Sequence, residues 1–107
     1  MEKLHTLPSV VRDGKIGVLV SVGHGLGFYT WGAPLEAIVN PTLVGLIEER
    51  KIEEAIEFVE KTWDDVYTGG VEDLEVQWVP IGKKFEIREY DGAEWISFMD
   101  EIKWIEA

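Results

Sequence analysis

The 107-residue chain has no cysteine. Disulfide stapling, thiolate catalysis and cysteine-ligated metals are therefore excluded. Histidine is nearly as scarce, with only His5 and His24, and no H-x-x-x-H, H-E-x-x-H or D-x-D spacing occurs. That pattern predicts neither a metal site nor a resident cofactor. Basic residues are few: 10 Lys and Arg stand against 21 Asp and Glu, a net charge of −11. Direct binding to nucleic-acid phosphates would need a segregated basic patch, so it is not expected. No apolar run approaches the ~20 residues that span a bilayer. The opening stretch "MEKLHTLPSVVRDGK" also lacks an apolar signal-type core, and the expected location is the cytoplasm.

What the chain does contain is apolar and aromatic. Hydrophobic residues make up 46%, which suits a globular protein with one modest core, and the length predicts a single domain. Five tryptophans are more than such a core needs, and some are expected at an interface. The acidity has two readings. It keeps a small protein dispersed, or it presents a carboxylate surface that imitates nucleic acid to a basic partner.

The expected fold class is α+β, a mostly antiparallel curved sheet built from an N-terminal hairpin, a helix pair and a C-terminal four-strand meander. "PSVVR" and "KIGVLVSV" flank the turn dipeptide Asp13-Gly14. The second arm is almost wholly apolar, as a central strand buried on both faces would be. Pro34 opens a short helical segment, and Asn40-Pro41 reads as N-cap and first residue of a helix. Leu43, Leu46 and Ile47 form one apolar stripe; Ile52, Ala55, Ile56, Val59 and Trp63 form a second, out of phase with the first. Two helices broken near Glu49–Ile52 follow, the second with Glu53, Glu54, Glu57 and Glu60 on its outer face. After the Gly69-Gly70 loop the segments Leu74–Pro80, Lys83–Tyr90, Trp95–Met99 and Ile102–Ile105 alternate as strands, with Asp91-Gly92 as a tight hairpin turn. Where the first hairpin joins this meander is not evident from the pattern.

The candidate site is "SVGHGLGFYTWG", Ser21–Gly32. Gly23, Gly25 and Gly27 let backbone N–H groups converge on an anion. Tyr29 and Trp31 could stack on a ring, with Ser21, His24 and Thr30 as polar partners. The spacing is G-x-G-x-G with no G-K-[ST], so it is neither a dinucleotide fingerprint nor a P-loop. Tyr67, Thr68 and Gly69 form a second loop that could close the pocket. Lys84 and Arg88, four apart on one strand face, could supply its positive charge. The alternatives are that the aromatics fill the core and that Lys84 and Arg88 pair with acids such as Glu75 or Glu94. Catalysis has less behind it. "LVSVG" is not a G-x-S-x-G elbow, the adjacent acid doublets diverge on helix or strand, and a small enzyme centred on His24 has no second group in sequence.

"VLVSVGHGLGFYTWG", with "YTGGVEDLEVQWVPIGKKFEIREYDGAE", resembles small proteins encoded by phages and prophages. These carry a V-S-x-G-x-G-x-G-[FW]-x-T-W segment, a Y-T-G-G loop and a W-V-P-x-G hairpin. The similarity covers most of Lys15–Glu94. It implies an accessory protein expressed in a bacterial host cytoplasm, where small phage proteins often counteract host defence. The expected function is binding without catalysis. Either a small anionic or nucleotide-like ligand is sequestered by the Gly/aromatic loop, or an acidic surface blocks a basic host or defence protein. A homo-oligomer formed through exposed Trp is compatible with both.

Overall fold

The computed structural model describes residues 4–99. It is an α+β arrangement of two antiparallel sheets and three helices. Strands β1 (Val11–Arg12) and β2 (Lys15–Ser21) form the expected hairpin. Its turn residues Asp13 and Gly14 both have positive φ, 51° and 75°, the geometry that matches the twist of a two-residue hairpin. Helix α1 (Leu35–Ile38) is a single turn, followed by α2 (Pro41–Glu48) and α3 (Ile52–Thr62). Strand β3 (Leu74–Pro80) precedes a second hairpin of β4 (Phe85–Tyr90) and β5 (Ala93–Phe98).

The helix boundaries have local causes. Asn40 caps α2 by accepting from Leu43 N at 3.1 Å, with Pro41 at the first helical position. At the other end Lys51 N donates to Leu46 O at 2.9 Å and Arg50 N to Ile47 O at 3.0 Å. This paired closure requires a left-handed residue, and Arg50 takes it at φ 57°. The chain is thereby turned between α2 and α3, which is why the two apolar stripes are out of phase.

One expectation is corrected. Among the described residues β3, β4 and β5 do not form one meander. β3 pairs with β2 along its whole length, from Lys15↔Pro80 to Ser21↔Leu74, giving the order β1-β2-β3. Among the described residues β4 and β5 pair only with each other, from Phe85↔Phe98 to Tyr90↔Ala93. The reason lies in β2. Its nearly continuous apolar run stabilises a strand hydrogen-bonded on both edges, and β3 fills the edge that β1 leaves open. The fourth proposed strand, residues 102–105, lies outside the described residues. Lys83 and Lys84 belong to the turn before β4, not to the strand.

β2 is buried on both faces, as its composition requires, with Val18, Leu19 and Val20 fully inaccessible. On one face Val76 and Trp78 of β3 lie beside Ile47 of α2. There Arg12 makes a two-pronged bond to Glu48 of α2, both N···O distances 2.8 Å, with its guanidinium 4.9 Å from the Trp78 ring centroid. On the other face Ile16 and Val79 look toward Ile38 of α1 and toward Phe85 and Ile87 of β4. The core thus continues between the three-stranded sheet and the second hairpin.

Candidate functional site

Ser21–Gly32 runs from the end of β2 across the β4–β5 hairpin, and its backbone does collect around a carboxylate. The carboxylate is the chain's own. Glu94 on β5 is buried, and its Oε1 accepts from Ser21 N at 2.9 Å. Its Oε2 accepts from Phe28 N at 3.1 Å, Thr30 N at 2.8 Å and Thr30 Oγ1 at 2.6 Å. A carboxylate offers only acceptor sites, so four converging donors satisfy it without a cation. Buried carboxylates are costly unless bonded in this way.

The rest of the loop is held as closely. Ser21 Oγ donates to Leu26 O, and Gly25 N to Asp91 O in the β4–β5 turn. Val22 N donates to Asp73 O at 3.1 Å. Gly70 lies so near the loop that an added Cβ would sit 2.5 Å from Gly27 O. The 3-10 turn Tyr29–Trp31 ends at Gly32 in a left-handed conformation, φ 114°. Phe28 enters the core, whereas Trp31 stays 41% exposed.

The remaining candidate residues fall into three groups. Ser21, Gly23, Gly25, Gly27 and Thr30 belong to the loop that Glu94 organises. Trp31 meets Tyr67, their ring centroids 5.3 Å apart and the planes tilted by 42°. Gly69 packs directly on the Tyr67 ring, and Thr68 O accepts from Val71 N at 3.1 Å. His24 is exposed at the loop tip, and Ser21 spends its hydroxyl on Leu26 rather than on a base. Arg88 and Lys84 are separated by their surroundings. Arg88 stands opposite Trp95 in the hairpin register with its Nε 3.9 Å from Glu86, and Glu94 lies on the other face. The proposed pairing of Arg88 with Glu94 is therefore absent.

Lys84 instead lines a pocket of about 690 Å³ between the sheets. Ile16, Leu35, Ile38, Val79, Phe85 and Ile87 make its walls, Tyr29 borders it from the loop, and His5, Lys83, Lys84 and Glu86 supply its polar groups. Lys83 Nζ lies 5.0 Å from the Phe98 ring centroid. The volume is that of a small-molecule site, and apolar walls with a few polar groups are typical of one. Among the described residues no group of three or more His, Asp or Glu is placed to hold a metal ion. No helix among them is long and apolar enough to cross a membrane.

Sequence reasoning missed Glu94 as the organiser and missed the pocket walls. A signal for Glu94 was present. From the Asp91-Gly92 turn the register puts Glu94 in phase with Ile96 and Phe98, an acid at an inward-facing position. The pocket walls come from four separate segments and carry no local mark. No family model, curated protein or solved structure matches the chain.

Proposed function

We propose that this is a small-ligand binding protein, and that its ligand is an anion with an apolar or ring-shaped body. The observation that carries the reading is the pocket between the sheets, apolar along its walls and bearing Lys84. The body would lie against Ile38, Phe85 and Ile87, and the acidic group would face Lys84. Tyr29 would contribute the ring contact expected of the Gly-rich segment. The three glycines would then act indirectly, letting the chain wrap Glu94 so that Tyr29 borders the pocket. In the setting that the phage resemblance implies, the effect of such a protein is to withhold its ligand from the host.

A thermal-shift panel tests this, because a ligand that binds only the folded state raises stability by about 2.7 kcal/mol at a hundred times its Kd. The panel holds acyl carboxylates, aromatic acids, nucleotides and cyclic dinucleotides. Stabilisation by an anion, lost in Lys84→Glu, supports the reading. An absence of shift across the panel overturns it.

A further inference from the structure

Trp31, Tyr67 and Glu89 are not part of the pocket, and their arrangement points to a second kind of ligand. The Trp31 ring lies against Gly27 and is 41% exposed. Tyr67, 42% exposed, leans against Trp31 at 42°, so the pair presents a tilted aromatic surface to solvent. Glu89 marks its edge. Its Oε2 accepts from Gly92 N at 2.7 Å and from the Trp31 indole Nε1 at 3.4 Å. One carboxylate oxygen is thus anchored, and the exposed carboxylate retains acceptor capacity at Oε1. Asp64, Asp65 and Asp91, two or three positions from Tyr67 or Glu89 in sequence, are exposed as well. The nearest cation on the same strand, Arg88, sits on the opposite face of the hairpin beside Glu86.

We propose that Trp31, Tyr67 and Glu89 form a recognition site for an arginine side chain on a basic polypeptide partner. An aromatic face attracts a cation through its quadrupole, most strongly with Trp. A planar guanidinium stacks on such a face and still donates in its own plane to a carboxylate, which a compact ammonium does less well. The net charge of −11 favours approach by a basic chain and disfavours an acidic one. Because the indole and the carboxylate are already bonded to each other, little ordering is required on binding. This site is independent of the pocket, and failure of either leaves the other standing.

The test is NMR titration of the full chain with a short peptide of alternating Arg and Gly, beside Lys/Gly and Glu/Gly peptides of equal length. The Trp31 indole signal is assigned through Trp31→Phe. The expected result is movement of the Trp31 indole and Tyr67 ring signals with the Arg peptide, less with the Lys peptide and none with the Glu peptide. Glu89→Gln, which keeps an acceptor for Gly92 N, should weaken Arg-peptide binding roughly 2- to 5-fold. Tyr67→Leu should weaken it similarly, and it decides the matter if changes at Trp31 disturb folding. Equal binding of the Arg and Lys peptides, unchanged in both Glu89→Gln and Tyr67→Leu, would mean a diffuse acidic field and overturn the proposal.

Discussion

Glu94 holds Thr30 twice through one oxygen, the backbone N at 2.8 Å and the side-chain Oγ1 at 2.6 Å. The two residues lie 64 positions apart, so this contact ties the loop after β2 to the second hairpin. It also explains how a Gly-rich segment, flexible in isolation, is given one conformation.

Removing that carboxylate should unfasten the loop. Glu94→Ala leaves Ser21 N, Phe28 N and Thr30 N without their acceptor, at about 1–3 kcal/mol for each group that water does not reach. A total loss of roughly 3 kcal/mol or more is expected in urea denaturation. Glu94→Gln should fall between Ala and the native protein, because its amide nitrogen would face a donor where an acceptor is needed. A Glu94→Ala midpoint equal to that of the native protein would show that the loop is held by other means.

Gly70 makes a separable test of loop docking. Its φ of −87° is open to any residue, so backbone strain does not enter. Only the close approach to Gly27 O does. Gly70→Ala should therefore destabilise through crowding, by about 1–3 kcal/mol. Hydrogen exchange should rise at Phe28 and Thr30 before it rises in β2. Uniform loss of protection across the chain would contradict a local effect.

The legible and illegible parts of this fold divide along range. Asp13-Gly14, Asn40-Pro41 and Asp91-Gly92 act on their immediate neighbours, and each turn or cap formed where its chemistry directs. The phase change at Arg50 was likewise readable, since a broken apolar stripe is a local property. Sheet order was not. β3 carries the same alternation whether it pairs with β2 or β4, and the choice depends on an edge of β2 that is distant in sequence. The candidate loop was expected to gather the N–H groups of Gly23, Gly25 and Gly27 on a bound anion, whereas the donors that converge are Ser21, Phe28 and Thr30, and they meet the chain's own carboxylate. Its acceptor was not identified, because Glu94 reaches it only once the hairpin folds over.

The outer face of α3 allows a pH test. Lys61 Nζ lies 2.5 Å from Glu57 Oε1 one turn earlier, and this hydrogen bond, with its charge attraction, holds the Glu57 carboxyl below its ordinary value of 4.5. A carboxylate with a depressed folded-state pKa adds stability above its unfolded value. That stability is lost as pH falls through the folded one. Lys61→Gln should therefore lower Tm slightly at neutral pH, and the difference from the native chain should vanish in acid. Both residues are exposed, so the effect is also screened by salt. A difference that persisted in acid would assign it to helix propensity instead.

The pocket reading separates charge from space, and two variants exploit this. Leu35 is half-buried on the pocket wall, and Leu35→Trp should fill part of the volume, excluding apolar ligands whatever their charge. Lys84 is exposed in the turn before β4, and Lys84→Glu leaves the walls intact while reversing one charge. For an anionic ligand both variants should abolish the thermal shift, at little cost to stability for Lys84→Glu, since an exposed substitution away from the core usually changes stability by less than about 0.5 kcal/mol. For an uncharged ligand of the same shape only Leu35→Trp should do so. If a ligand is found whose binding survives Leu35→Trp but not Lys84→Glu, it sits on the surface near the turn and the space between the sheets is not its site.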